Sequence, residues 1–296
     1  VFRLGAFSDD LHTDFRSAAD LALHHELDGL AVRNVGGRNI VSLDLDEVRS
    51  IGREAATRGL AVASLGTQFG RGFHLDDEDA PRMARSLLES ALARAALLET
   101  PLIRVFGLWL HEHDELPTWS DRPDLDHVLE PLVARLEPFV TMAERAGAIL
   151  MLELEGASFV GTTQEAERVI SALDSSAVAL CWDVCNGWWS GEAPLEGLAR
   201  AQALPLVDVQ TKDVPARADE PELPTFGRAV TGQGDIPYSK ILPALVDHGY
   251  DGWITIERVH HPHKPEVDRQ RQDDTVADIE GVKDILAHAT RGSAHD

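Results

Sequence analysis

Short apolar runs recur along the chain, and each is followed by a polar loop and then a longer stretch with apolar positions at helical spacing. The runs fall at residues 2–7, 27–32, 60–65, 101–106, 149–154, 177–182, 206–211 and 253–257. Their length and aliphatic, β-branched content predict strands. The stretches between and after them predict helices over 14–25, 45–57, 80–98, 124–146, 163–173, 195–203, 239–248 and 275–289. Thr162-Thr163-Gln164-Glu165 has the order of a capping box, and Gly59, Gly147 and Gly249 follow helical stretches as C-terminal caps do.

Eight strand–helix units in 296 residues leave about 37 residues for each. Alternation at that spacing means parallel strands joined by helical crossovers, and eight of them predict a closed (β/α)8 TIM barrel. An open doubly wound sheet would carry a Gly-rich phosphate loop after the first strand, and Gly5-Ala6-Phe7-Ser8-Asp9-Asp10 has none. No low-complexity linker divides the chain, so residues 1–296 read as one barrel domain.

Composition narrows the function classes. The chain is 44% hydrophobic and 26% charged, enough for a large core. Its 27 Lys+Arg against 50 Asp+Glu give a net charge of −23, which repels phosphate backbones and anionic headgroups. Nucleic-acid and membrane roles are therefore not expected, and no apolar run has the length of a membrane span. The start, VFRLGAFSDD, lacks the basic-then-apolar order of a signal peptide. There are two cysteines, Cys181 and Cys185; on one strand they would lie too far apart to bridge, so a cytoplasmic protein is expected.

In such a barrel the active site lies at the C-terminal ends of the strands. The fifth run ends in Leu152-Glu153-Leu154-Glu155 and the sixth in Cys181-Trp182-Asp183-Val184-Cys185-Asn186. The seventh gives Val209-Gln210-Thr211-Lys212-Asp213, and the eighth Ile254-Thr255-Ile256-Glu257-Arg258. Glu153, Asp183, Gln210 and Glu257 thus stand at equivalent places on four consecutive strands. A lone carboxylate there is commonly a helix cap or loop ion pair. Several buried together repel unless a cation joins them. Oxygen donors suit a hard ion, so one divalent metal, Mn2+ or Mg2+, is the expected cofactor.

The same residues carry a family resemblance. The segment 148–153 with Phe159-Val160-Gly161-Thr162, the Asp183/Asn186 spacing, and Gly232-Gln233-Gly234-Asp235-Ile236 followed by Gly249-Tyr250-Asp251-Gly252-Trp253 through Glu257 resemble the xylose-isomerase-like TIM barrels, the sugar isomerase/epimerase superfamily. Val32-Arg33-Asn34 through Ile40 resembles the second-strand loop of some branches. The resemblance implies that Glu153, Asp183, Gln210 and Glu257 ligate the metal and that Glu153 and Glu257 are the acid/base pair. Gln210 departs from the commoner His and is similar to the hydroxypyruvate-isomerase branch. That branch's H-x-Q-x-A-D-x-P-G-R segment is matched only in part, with Asp208 for its His, Lys212 for its Ala and Ala216 for its Gly.

The expected chemistry is proton abstraction alpha to a metal-bound carbonyl through an enediolate, giving a sugar or ketosugar isomerase or epimerase. With a leaving group beta to the carbonyl, the same step gives a lyase acting on a keto-glycoside. An abasic-site nuclease of this fold would need many His ligands and a basic groove; a non-catalytic barrel is the remaining alternative. Asn186, Arg104, Lys212, His111, His113 and Trp188 are candidate substrate contacts. Buried ion pairs compete for Arg104 and Lys212, and solvated loop positions for the histidines. Trp109, Trp119, Trp188 and Trp189 would suit a sugar or aglycone face, or core or subunit packing. His260, His261 and His263 read as solvated. The partner expected is a small carbohydrate; a homo-oligomer or a hetero-subunit is left open.

Overall fold

A computed structural model describes residues 2–110, 122–214, 229–258 and 270–292. The eight expected strands are present: β1 (Arg3–Phe7), β2 (Gly29–Val32), β3 (Ala61–Leu65), β4 (Leu102–Phe106), β5 (Ile149–Glu153), β6 (Val178–Asp183), β7 (Leu206–Thr211) and β8 (Trp253–Ile256). Each pairs in parallel with the next, and β1 pairs with both β2 and β8, so the sheet closes into a barrel. The expected (β/α)8 architecture is the one found.

The long helices also lie where periodicity placed them, within a few residues. They are α2 (Phe15–His24), α3 (Leu45–Ala56), α4 (Ala80–Leu97), α5 (Leu129–Ala146), α6 (Thr163–Leu173), α8 (Pro194–Ala201), α9 (Tyr238–Asp247) and α10 (Arg271–Gly292). Thr162 and Glu165 form the capping box at the start of α6. Two short helices had no periodic signal, α1 (Ser8–Leu11) and α7 (Val184–Trp189); four to six residues hold too few turns to display one. Cys185 lies on α7 rather than on a strand, and both thiols are free and buried. A hairpin that was also not expected follows β2, pairing Asn34–Val35 with Arg38–Asn39. Its turn is Gly36-Gly37, both at positive φ (58° and 75°), which two-residue hairpins favour.

Alternation along the strands builds the barrel interior. Its lower part is an apolar cluster of Ala63, Leu102, Met151, Cys181 and Trp253. Two residues further along β5, β6 and β8, the same parity delivers Glu153, Asp183 and Thr255; on β7 it gives Asp208, then Gln210. No helix among the described residues is long and apolar enough to cross a membrane.

Candidate active site at the barrel mouth

Glu153, Asp183, Gln210 and Glu257 are brought together at the C-terminal end of the barrel, each no more than 5% exposed. Cations separate the carboxylates. Lys212 Nζ lies 2.5 Å from Asp183 Oδ2 and 2.7 Å from Glu257 Oε2. Gln210 Nε2 donates to Glu153 Oε2 at 3.0 Å. Arg104 Nη1 stands 3.3 Å from Glu153 Oε2 and 3.8 Å from Glu257 Oε1. Arg104 and Lys212, expected as substrate contacts or ion pairs, are ion-paired in the mouth.

Residues from β1 and β2 that the strand-end argument passed over complete the cluster. Arg33 Nη1 donates to Glu257 Oε1 at 2.7 Å, its Nε to Asp9 at 3.0 Å, and its Nη2 to Asp10 at 2.8 Å. Asn34 Nδ2 also donates to Asp9, at 2.7 Å. Asp10 Oδ2 accepts the Arg258 backbone N–H at 2.8 Å, which ties β1 to the end of β8. Ser8-Asp9-Asp10 and Arg33-Asn34 follow their strands as directly as Glu257 follows β8, so the same rule applied to all eight strands would have found them.

These surroundings separate the two glutamates. Burial pushes the Glu153 carboxyl up, with Arg104 opposing. Burial acts on Glu257 in the same sense, but Lys212, Arg33 and Arg104 outweigh it and hold that carboxyl at about 2. Asp183 is raised to about 7, burial prevailing over Lys212. Below the cluster Asp208 accepts from Thr255 Oγ1 at 2.7 Å and is raised to about 8, chiefly by burial.

Asp183 does more than face the mouth. Its Oδ1 accepts the Asn186 backbone N–H at 2.9 Å and so caps α7. The Asn186 side chain, a candidate substrate contact, donates instead to the Leu154 carbonyl at 2.7 Å and pins the end of β5. The Asp183/Asn186 spacing is therefore explained locally by a helix cap.

The glycine-rich closing signature has a structural cause that was not foreseen. The Asp213 carboxylate accepts N–H groups from Val214, Gly232, Gly234 and Ile236 at 2.8–3.2 Å. A Cβ at Gly234 would collide with the Val214 carbonyl oxygen and the Asp213 carboxylate. The turn is wrapped around an acid, and Lys212 is the residue beside it. Trp188 and Trp189 are partly exposed on α7, with Lys212 Nζ 5.9 Å from the Trp189 ring centre. Trp109 packs edge-on against Phe106 at 5.8 Å. His111, His113, Trp119, His260, His261 and His263 lie outside the described residues.

The donor chemistry fits a hard divalent ion. All four candidate ligands offer oxygen, and Gln210 Oε1 is buried without a hydrogen-bond partner. Carboxylates also outnumber cations: Asp9, Asp10, Glu153, Asp183 and Glu257 face Arg33, Arg104, Lys212 and, 4.0 Å from Asp10, Arg271. Among the described residues, however, no three His, Cys, Asp or Glu side chains gather around one point as ligands would; Lys212 lies between Asp183 and Glu257. A cavity of about 820 Å³ lies elsewhere, at the N-terminal end of the barrel against Trp253, Leu102 and Arg3, and none of the mouth carboxylates lines it.

The chain belongs to the xylose isomerase-like TIM barrel family, whose model matches residues 19–284. Among curated relatives, inosose dehydratase of Lacticaseibacillus casei is 29% identical over 157 residues, covering 49% of this chain and 52% of that protein. The chain thus spans about half the length of the curated relatives it matches. Among solved structures, the IolI protein with a bound zinc atom superposes with a TM-score of 0.77 at 16% identity, covering 97% of this chain and 99% of that one. D-Psicose 3-epimerase from Clostridium cellulolyticum H10, solved with D-tagatose, gives 0.72 at 17% identity over 98% and 99%. At those identities the structures show a shared fold.

Proposed function

We propose that this protein is a sugar or ketosugar isomerase or epimerase that abstracts a proton alpha to a carbonyl, with Glu153 and Glu257 as the acid/base pair. A divalent ion, Mn2+ or Mg2+, would be held by Glu153, Asp183, Gln210 and Glu257. The observation that carries this reading is the placement of the two glutamates. They reach the mouth from β5 and β8, both lie against Arg104, and each is otherwise held by different partners. A ketosugar bound at the mouth would meet both carboxyl groups.

The ion, when bound, polarises the carbonyl and offsets the charge that develops on its oxygen. One glutamate takes the proton from the carbon beside the carbonyl and leaves an enediolate. The other returns a proton to the opposite face of that carbon or to its neighbour, so the product is an epimer or an aldose–ketose isomer. Arg33 and Arg104 orient Glu257, and Gln210 and Arg104 orient Glu153, through the contacts given above. Trp188 and Trp189 offer apolar surface to the faces of a sugar ring.

A second reading, loss of water or an aglycone from the carbon beta to the carbonyl, is favoured by the match to inosose dehydratases. It needs the same first proton transfer. A panel of ketosugars, inososes and 3-keto-glycosides, followed by NMR with Mn2+ present, distinguishes the two. An isomer of unchanged mass supports the leading reading, and an unsaturated, lighter product supports the second. Absence of turnover across the panel contradicts both.

A further inference from the structure

Lys212 bonds the same carboxylate oxygens that a metal ion would need. Asp183 Oδ1 is taken by the Asn186 N–H, and Glu257 Oε1 by Arg33. The oxygens left to face the mouth are Asp183 Oδ2 and Glu257 Oε2, and Lys212 Nζ holds both. A divalent ion at those atoms would stand within a few ångströms of the ammonium, where like charges in a buried site repel strongly.

The base of Lys212 is fixed while its head has four single bonds to turn about. Its backbone N–H donates to Tyr238 Oη at 3.2 Å, and Tyr238 Oη donates to the Lys212 carbonyl at 2.9 Å. Tyr238 is fully buried, and the neighbouring Asp213 is anchored by four backbone N–H groups. Displacement must therefore come from the side chain, and the Trp189 ring 5.9 Å from Nζ gives the ammonium a surface to turn against.

We propose that Lys212 is a resident cation that competes with the divalent ion for Asp183 and Glu257. Its ammonium holds the carboxylates together when no ion is bound and is displaced when one enters. This rests on the metal reading above, and it adds that the chain should remain folded without metal.

The test is titration calorimetry with MnCl2 on chelator-stripped wild type, Lys212→Met and Lys212→Gln, with melting temperatures measured on the same samples. Both variants should bind Mn2+ at least about tenfold more tightly than wild type. Stripping should leave the wild-type Tm in place, while the variants melt about 5 °C or more lower until Mn2+ is added. Lys212→Gln keeps a polar head without the charge and serves where Lys212→Met does not fold. Mn2+ affinity in the variants equal to or below wild type overturns the competition and leaves the metal reading standing. No Mn2+ binding by any of the three proteins overturns the metal reading, and this inference with it.

Discussion

The two halves of the barrel mouth are built differently. Strands β5 to β8 end in Glu153, Asp183, Gln210, Lys212 and Glu257, a set dominated by oxygen donors. Strands β1 to β4 supply Asp9, Asp10, Arg33, Asn34 and Arg104, and the guanidinium groups among them reach Glu153 on the neighbouring β5 and Glu257 at the end of β8. One half carries the groups assigned to proton transfer, with Lys212 and Gln210 bonded to them; the other adds guanidinium groups that help fix where they point and how readily they ionise. Variants on the two sides should therefore fail differently.

The largest effect is expected on the donor side. Glu153→Gln and Glu257→Gln should each lower kcat by at least about 10²-fold, the scale for losing a positioned proton-transfer group. The amide keeps an oxygen that can still ligate, so metal loss should be partial. Turnover per bound metal near wild type in both variants would remove the glutamates from the mechanism.

On the cation side the loss should fall on stability first. Arg33→Met leaves Asp9 and Asp10 without their main partner and strips one cation from Glu257. Breaking a buried charge network of this kind costs about 3–5 kcal/mol. Urea unfolding should show it, and a change under about 1 kcal/mol would mean that solvent already screens the network.

Smaller again is the effect of loosening the turn beside Lys212. Asp213→Ala leaves four backbone N–H groups without their acceptor, at a cost of about 1–3 kcal/mol for each one that water does not reach. The total should be near the lower figure, because an opened turn is hydrated. Amide exchange around 231–236 should quicken while β5 and β6 stay protected. Uniform exchange across the barrel would contradict a local role.

The smallest effect lies outside the mouth. Asp278 on α10 accepts the Thr231 N–H at 2.8 Å, and burial raises it from 3.8 to about 6 despite Arg258. The folded state thus holds this proton more tightly than the unfolded chain does. The stabilisation from it is full below about pH 4 and is lost as the pH rises through about 6. Asn does not titrate, so the stability of wild type relative to Asp278→Asn should fall by about 1 kcal/mol or more between pH 4 and pH 6 and then level off. Thermal melts across that range would show it, and parallel curves would contradict it.

The same contrast explains how much the sequence made legible. Each strand is a short apolar run, and Glu153, Asp183, Gln210 and Glu257 stand at or just past the ends of four of them, so the barrel and those positions follow from local pattern. The pairings do not. Arg33 and Glu257 are 224 residues apart, and only barrel closure makes them neighbours. Asn186 matched a family spacing, yet its amide holds the Leu154 carbonyl, a choice set by where β5 ends relative to α7. Lys212 shares the inward parity of Gln210, which placed it in the mouth but could not show that it would span two acids. Asp213 matches the Asp of a family segment, but its role is hidden in the sequence because its partners are backbone N–H groups, which leave no mark in the side-chain pattern.

In the proposed reaction a proton leaves the carbon beside a carbonyl and passes through Glu153 or Glu257. The most direct test is turnover in D2O with Mn2+, using whichever ketosugar or inosose the panel identifies. Solvent deuterium is expected at that carbon in product or recovered substrate, with its incorporation falling with turnover in Glu153→Gln and Glu257→Gln. An isomer or epimer formed by the wild type with no deuterium at any carbon flanking the carbonyl, in either product or recovered substrate, would contradict proton abstraction there.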